Sequence, residues 1–269
     1  MSPKMSAMSN DTEVDLEACP RSLSVTPEMF EKLYLLPRVG NNDDLVQRFG
    51  NPTPVAILGL VVALTPLSIE LMGWRGASGF AATNGANYFF GGMLLVMSGV
   101  GEFLLGNTFP SVVFLAYGAH FLAIAVTYTP SFAAISAYNT NGSQTETPPF
   151  MVSFGFYFLY MGLLSLIFLI CSLRTNVVFV IIFTGAFLGF LLAVGGFWSL
   201  AEGNAVTGAR LLVGTGASFF VSSLAGWYLL FSIMMDVVDM PFTVPIFDLS
   251  TIIKGKGEGE SERKRQGSE

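Results

Sequence analysis

Residues 88–118 read YFFGGMLLVMSGVGEFLLGNTFPSVVFLAYG, a carboxylate, a run of glycines and a polar turn set in a segment too apolar for a water-exposed helix. From Ala86 to Leu105 the only charge is Glu102. About twenty residues rising 1.5 Å each suffice to cross the hydrocarbon core of a bilayer. Gly106, Asn107, Thr108, Phe109 and Pro110 leave only a tight turn before the next apolar segment. Asn107 or Thr108 is placed to cap that following helix, and Pro110 suits its first turn. The expectation is a hairpin of two membrane helices. Gly91, Gly92, Gly99 and Gly101 disfavour a helix in water but let backbones approach closely in lipid, so a tightly packed bundle is implied. An ionisable group within a span is a functional candidate by default; the alternative for Glu102 is a structural role tying down the turn.

The whole chain fits that reading. Of 269 residues, 52% are hydrophobic, 25 are Phe and only 12% are charged, and mean hydropathy is positive, a composition of polytopic membrane proteins. Between Pro54 and Met235 the charges are Glu70, Arg75, Glu102, Glu146, Arg174, Glu202 and Arg210; the others sit in two polar tails. A net charge of -6 with no basic cluster in the bundle argues against nucleic acid. The mixed run at 255–269, GKGEGESERKRQGSE, reads as a solvated tail. Cys19 in the first tail and Cys171 in an apolar span are not expected to meet in a disulfide, and the first fifty residues lack the apolar core of a cleaved signal peptide.

Taken in order, residues 1–50 are expected to be a disordered cytosolic tail, with room for a short amphipathic helix at 29–36. In NPTP, Asn51 can cap a helix whose first turn takes Pro52 and Pro54. Six spans follow, at about 55–74, 86–105, 111–128, 150–173, 177–200 and 211–235, forming a transport domain over 51–235 with a second cytosolic tail at 236–269. The loop 129–149 has no Lys or Arg and carries the glycosylation acceptor pattern Asn141-Gly142-Ser143, so it is expected outside. With both termini cytosolic, 11 of the 13 Lys and Arg lie inside and only Arg75 and Arg210 outside. Small residues recur every fourth position in the fifth span (Gly185, Gly189, Ala193) and the sixth (Gly214, Ser218, Ser222, Gly226), a pattern of helix contacts. Glu102 to Asn107 is faintly echoed by Glu202-Gly203-Asn204, which with three spans on either side of a long loop permits an inverted repeat.

No Lys or Arg falls mid-span, so a large fixed anion would meet no cationic partner. The route suits a small solute that crosses neutral, with a proton, or held by neutral donors. Asn51 with the first turn of the first span, together with Asn87, Asn107, Thr108 and Tyr117, supplies such dipoles, although Asn51 and Asn107 serve equally as caps and Tyr117 as a packed aromatic. His120, the single histidine, reads better as a hydrogen-bonded packing residue than as a proton relay. No GxSxG, HExxH or paired-carboxylate signature occurs, so neither catalytic residues, nor a metal site, nor a cofactor is expected.

NPTPVAILGL at 51–60, FFGG at 89–92 and GEFLLGNTFPSVVFLAYGAHF at 101–121 resemble the signatures of the acetate uptake transporters, the acetate/succinate permease family with fungal relatives linked to ammonia export. The resemblance implies an all-α integral membrane protein with six transmembrane helices per subunit, assembled as a homohexamer. It implies transport of acetate and similar small monocarboxylates, coupled to protons, across the plasma membrane. It also implies an apolar constriction of three side chains, which by motif position are Leu60, Tyr117 and Leu191, with Leu188 as the competing choice for the third. The substrate pathway is expected to include Asn51, Glu102, Asn107, Thr108 and Tyr117. This chain departs from the family pattern at Val55-Ala56-Ile57, at Leu95 where glutamine is usual, and at His120-Phe121 where Phe-Trp is usual; these bear on substrate identity more than on fold. The rival functions are an ammonium or ammonia exporter and a non-transporting membrane sensor or assembly protein.

Overall fold

A computed structural model describes residues 50–249. The expected disorder of 1–49, the helix considered at 29–36, Cys19 and the run at 255–269 lie outside the described residues.

The structure is a bundle of helices. Helix α1 spans Thr53–Met72 and stops at Gly73, whose φ of 69° lets its N–H turn back onto the carbonyls of Ile69 and Glu70. A second helical run follows in three pieces: α2 (Asn84–Ala86), a π-helical segment Asn87–Leu94, and α3 (Leu95–Leu104). Then come α4 (Thr108–Thr127), α5 (Pro148–Ser172), α6 (Val177–Ala201) and α7 (Ala205–Val237). Among the described residues, five helices, α1, α4, α5, α6 and α7, are uninterrupted, long and apolar enough to cross a membrane. The expected second span is thus helical but interrupted, because Asn87 through Leu94 bond i→i+5 rather than i→i+4. The wider turn brings both Gly91 and Gly92 to the buried face. There a Cβ on Gly91 would strike the Phe121 ring and one on Gly92 would strike Leu122, so only hydrogen fits between this run and α4.

Along the same run Asn84, Asn87, Leu95, Ser98 and Glu102 are buried while Phe89, Met93, Met97, Val100 and Phe103 are exposed. Polar groups inside and large apolar groups outside is the pattern of a helix whose solvent is lipid. The inward amides are satisfied by neighbours: Asn84 Nδ2 donates to the Ala125 carbonyl at 3.1 Å and to Thr129 Oγ1 at 3.0 Å.

The small-residue stripes pack α6 on α7. Gly185 lies against Ser222 and the Ser218 carbonyl, and Gly189 against the Phe219 ring, while Gly226 faces Val61 of α1 instead. The two turns that echo each other in sequence share a backbone. Gly106 (φ 81°) then Asn107 (φ -85°, ψ 75°) leads into α4, and Gly203 (φ 83°) then Asn204 (φ -85°, ψ 70°) leads into α7. Helices joined by such short turns run antiparallel; α1, α4 and α6 point one way, residues nearer their starts lining one void and residues nearer their ends another, so the two turns lie at opposite ends of the bundle.

The boundary expected at residue 236 falls inside α7, and residues 238–249 return across the end of the bundle. The Tyr228 hydroxyl donates to the Pro245 carbonyl (2.6 Å) and Ser232 Oγ to the Val244 carbonyl (2.9 Å). Val177 N–H donates to the Phe247 carbonyl (3.0 Å) and Leu249 N–H to the Thr175 carbonyl (2.9 Å), so the strap clasps the α5–α6 turn.

Candidate functional site: two apolar chambers meeting at a neck

The bundle encloses a void between α1, α3, α4, α6 and α7, with about 650 Å³ of space free of protein atoms, its open mouth included. Its wall is Ala56, Ile57, Leu60, Leu64 and Leu67 from α1, Val113, Phe114, Tyr117, His120 and Phe121 from α4, and Phe179, Ile182, Phe183, Ala186 and Phe190 from α6. These are the N-terminal portions of three parallel helices. A second void is walled by Leu67, Leu71, Ile124, Tyr128, Ala193 and Phe197, from the C-terminal portions of the same three, with Phe80, Phe158, Leu212 and Thr215. The two chambers therefore occupy opposite halves of the bundle, and Leu67, His120 and Phe219 line both. That trio forms the neck. Among the described residues neither wall carries Asp, Glu, Lys or Arg.

Aromatic packing stiffens these walls. Tyr117 stacks on Phe183 (centroids 6.3 Å apart, 15° between planes) and meets Phe168 edge-on at 5.8 Å. Its hydroxyl lies 2.9 Å from Ser165 Oγ. Since Ser165 donates its own hydrogen to the Met161 carbonyl at 2.8 Å, Tyr117 is the donor of that pair. His120 is stacked on Tyr157 at 5.6 Å and set edge-on to Phe190 at 5.1 Å, with Nδ1 2.7 Å from the Tyr157 hydroxyl.

Glu102 lies outside both walls, near the end from which α1 and α4 start. It is 1% exposed. Thr53 Oγ1 donates to its Oε1 at 2.5 Å and Asn107 Nδ2 to its Oε2 at 2.7 Å. One carboxylate thereby ties the first residue of α1 to the turn between α3 and α4. Asn107 precedes α4 as expected but does not cap it with its side chain, which Glu102 has claimed. Thr108 is exposed and opens α4. Asn51, also exposed, accepts the Thr53 N–H at 3.0 Å and so turns the chain into α1.

Of the three expected constriction side chains, Leu60 and Tyr117 line the first chamber. Leu191 does not: it is 40% exposed on the far face of α6, and Leu188 lines an exposed groove with Val180 and Ser218 instead. The α6 positions that do face the chamber are Phe183, Ala186 and Phe190. Leu67, Phe190, Phe219 and the serine Ser222 were not singled out from sequence as wall residues; the fourfold spacing of Ser222 with Gly226 and Ser218 signalled its face but not its neighbour.

The loop 129–147 follows Tyr128, a wall residue of the second chamber. Tyr128 donates to Glu146 Oε1 at 3.0 Å, joining a chamber wall to the last turn of the loop. Burial pushes the Glu146 carboxyl above its ordinary range, more than the Tyr128 hydrogen bond pulls it down. Asn141 is exposed at the loop's tip, its Oδ1 accepting the Ser143 N–H at 3.1 Å.

Comparison with known proteins agrees with this architecture. The chain is 45% identical over 240 residues to the protein alcS of Aspergillus fumigatus, covering 87% of this chain and 88% of that protein. It is 28% identical over 206 residues to the acetate transporter protein patA of Penicillium expansum, covering 77% and 80% respectively. Among solved structures, that of the bacterial acetate channel SatP shares the fold, with a TM-score of 0.58 at 21% identity, over 74% of this chain and 99% of that one. Residues 38–251 match the family described as the GPR1/FUN34/yaaH family, so this multi-pass membrane protein belongs to that family.

Proposed function

We propose that the chain is a transporter or channel for acetate and similar small monocarboxylates, each subunit carrying its own route. The observation that carries this reading is the pair of apolar chambers in series through one bundle, meeting at Leu67, His120 and Phe219. A carboxylate stripped of water in such walls without a paired charge would cost on the order of tens of kcal/mol, whereas the neutral acid would pay only the ~4–8 kcal/mol of an unpartnered polar group moved to hydrocarbon. The solute therefore crosses with its proton, and flux is proton-coupled in effect. The names of patA and of the SatP channel support the substrate class.

The same reading includes six spans, the interrupted run Asn84–Leu104 being the second, in a homohexamer at the plasma membrane with both termini cytosolic. The wide apolar outer face of the bundle, from Phe89 to Phe103 and from Tyr160 to Ile170, supplies the surface that lipid or neighbouring subunits would cover. Leu60 and Tyr117 are assigned to the route. Asn51, Glu102, Asn107 and Thr108 are assigned to its cytosolic mouth, where Glu102 holds the entrance helices in register. Purified protein in liposomes, compared with protein-free liposomes, tests the proposal with labelled acetate, lactate, succinate and ammonium. Saturable acetate uptake is expected; rates equal to the protein-free rate for all four solutes would refute transport, and ammonium flux indifferent to excess acetate would favour an exporter. Unchanged acetate uptake by Asn51→Ala would remove Asn51 from the mouth.

A further inference from the structure

Every hydroxyl lining the two chambers spends its hydrogen on the protein. Tyr117 donates to Ser165, Ser222 Oγ to the Ile182 carbonyl (2.9 Å), Thr215 Oγ1 to the Leu211 carbonyl (3.1 Å) and Tyr128 to Glu146. His120 is different. Its residue is only 7% exposed, and Nδ1 is engaged by Tyr157 at 2.7 Å. Nε2 has no protein partner among the described residues, yet it is not one of the sealed, unpartnered polar atoms, which are Ser98 Oγ and Thr147 Oγ1. It is thus open to the chambers, at the neck where they meet.

Tyr157 and the neutral imidazole bring two protons to one shared hydrogen bond, and Tyr157 has no other acceptor among the described residues. One proton is therefore left for the route; with Tyr157 donating to Nδ1 it sits on Nε2, beside the chambers that His120 lines. We propose that His120 is the specificity-determining station of this route: its Nε2–H donates a hydrogen bond to a carboxyl oxygen of the solute as it passes between the chambers. An ammonium ion, unlike neutral ammonia, offers no acceptor to that N–H, so the station discriminates against the ion, with Leu67 and Phe219 beside it. The station deepens the transport reading above and rests on it for the solute's passage.

The test uses the full chain and its single histidine, whose imidazole resonances need no assignment by mutation. With histidine labelled in ¹⁵N and the protein in nanodiscs at constant pH, sodium acetate is expected to shift the Nε2 signal saturably, and ammonium chloride to leave it in place. In liposomes, His120→Phe is expected to raise the KM for acetate by about tenfold, the worth of one hydrogen bond, while His120→Gln, which keeps a donor, stays within about threefold of wild type. An unshifted Nε2 signal, or His120→Phe with wild-type KM, would overturn the station even where wild-type flux upholds transport. An acetate-shifted signal without flux would uphold the station as a binding site and overturn the transport reading instead.

Discussion

Glu102 is buried near one end of the bundle with two neutral donors and, among the described residues, no cation against it, Thr53 and Asn107 each giving one hydrogen bond. Leaving both donors unmatched costs more than weakening them. Glu102→Ala is therefore expected to destabilise the protein by about 2–4 kcal/mol, as two donors lose their acceptor, and Glu102→Gln, which keeps one acceptor, by about half of that. Thermal unfolding in detergent measures both; equal losses for Ala and Gln would show that the carboxylate is not shared between two donors. Sequence pointed to Glu102 because a charge within a greasy span is conspicuous, and to Asn107 because it lies in the same turn. It could not point to Thr53, which is 49 positions away and ordinary at a helix start. Nor does sequence tell which α6 side chain joins Leu60 and Tyr117. Residues of α6 are apolar or small on every face, so no periodic polar marker tells which of Phe190 and Leu191 looks inward.

Helices here associate through absent side chains. A Cβ on Gly216 of α7 would sit 2.7 Å from the Ser68 carbonyl and 2.8 Å from Leu71 Cβ of α1, backbone and root atoms that cannot swing aside. Gly216→Ala is expected to cost about 1–3 kcal/mol by forcing α1 and α7 apart. Gly85, in α2, has nothing within 4 Å of where a Cβ would stand. Gly85→Ala should be neutral or stabilise by up to about 1 kcal/mol through the unfolded chain. Unfolding curves for the two variants decide the matter; helix propensity favours Ala at both positions, so a loss at Gly85 as large as at Gly216 would mean that close packing of α7 on α1 is not what the Gly216 loss measures. The existence and near-bounds of the long helices were legible from hydropathy and turn residues, since apolar length is the signal a bilayer demands. The π segment was not, because a shifted hydrogen-bond ladder leaves the hydropathy of a span unchanged; only the pair Gly91-Gly92, too small to fill two adjacent inward positions in α geometry, hinted at it.

Across the molecule the two ends of the route differ in construction. One is held by Glu102 and by the strap 238–249, which sequence analysis assigned to a tail because twelve residues without helical period show no sign of the carbonyls that α7 and the α5–α6 turn would receive. At the other, the loop 129–147 is fastened to the chamber wall at Tyr128 through Glu146. This fastening carries a pH dependence whose sign is set by burial. The closed loop holds the Glu146 carboxyl above its ordinary value of 4.5, so the closed state binds that proton more tightly than an open, solvated loop does. Closure is then fully stabilised below the ordinary carboxylate value, and that stability is lost as pH rises through the raised value of the closed state. Hydrogen exchange of residues 129–147, corrected for the intrinsic rate at each pH, is expected to show protection falling as pH rises through this window. Glu146→Gln, which cannot ionise, should keep its protection throughout. Protection that grew with pH in the wild type, or fell equally in Glu146→Gln, would place the proton elsewhere and free the loop from Glu146.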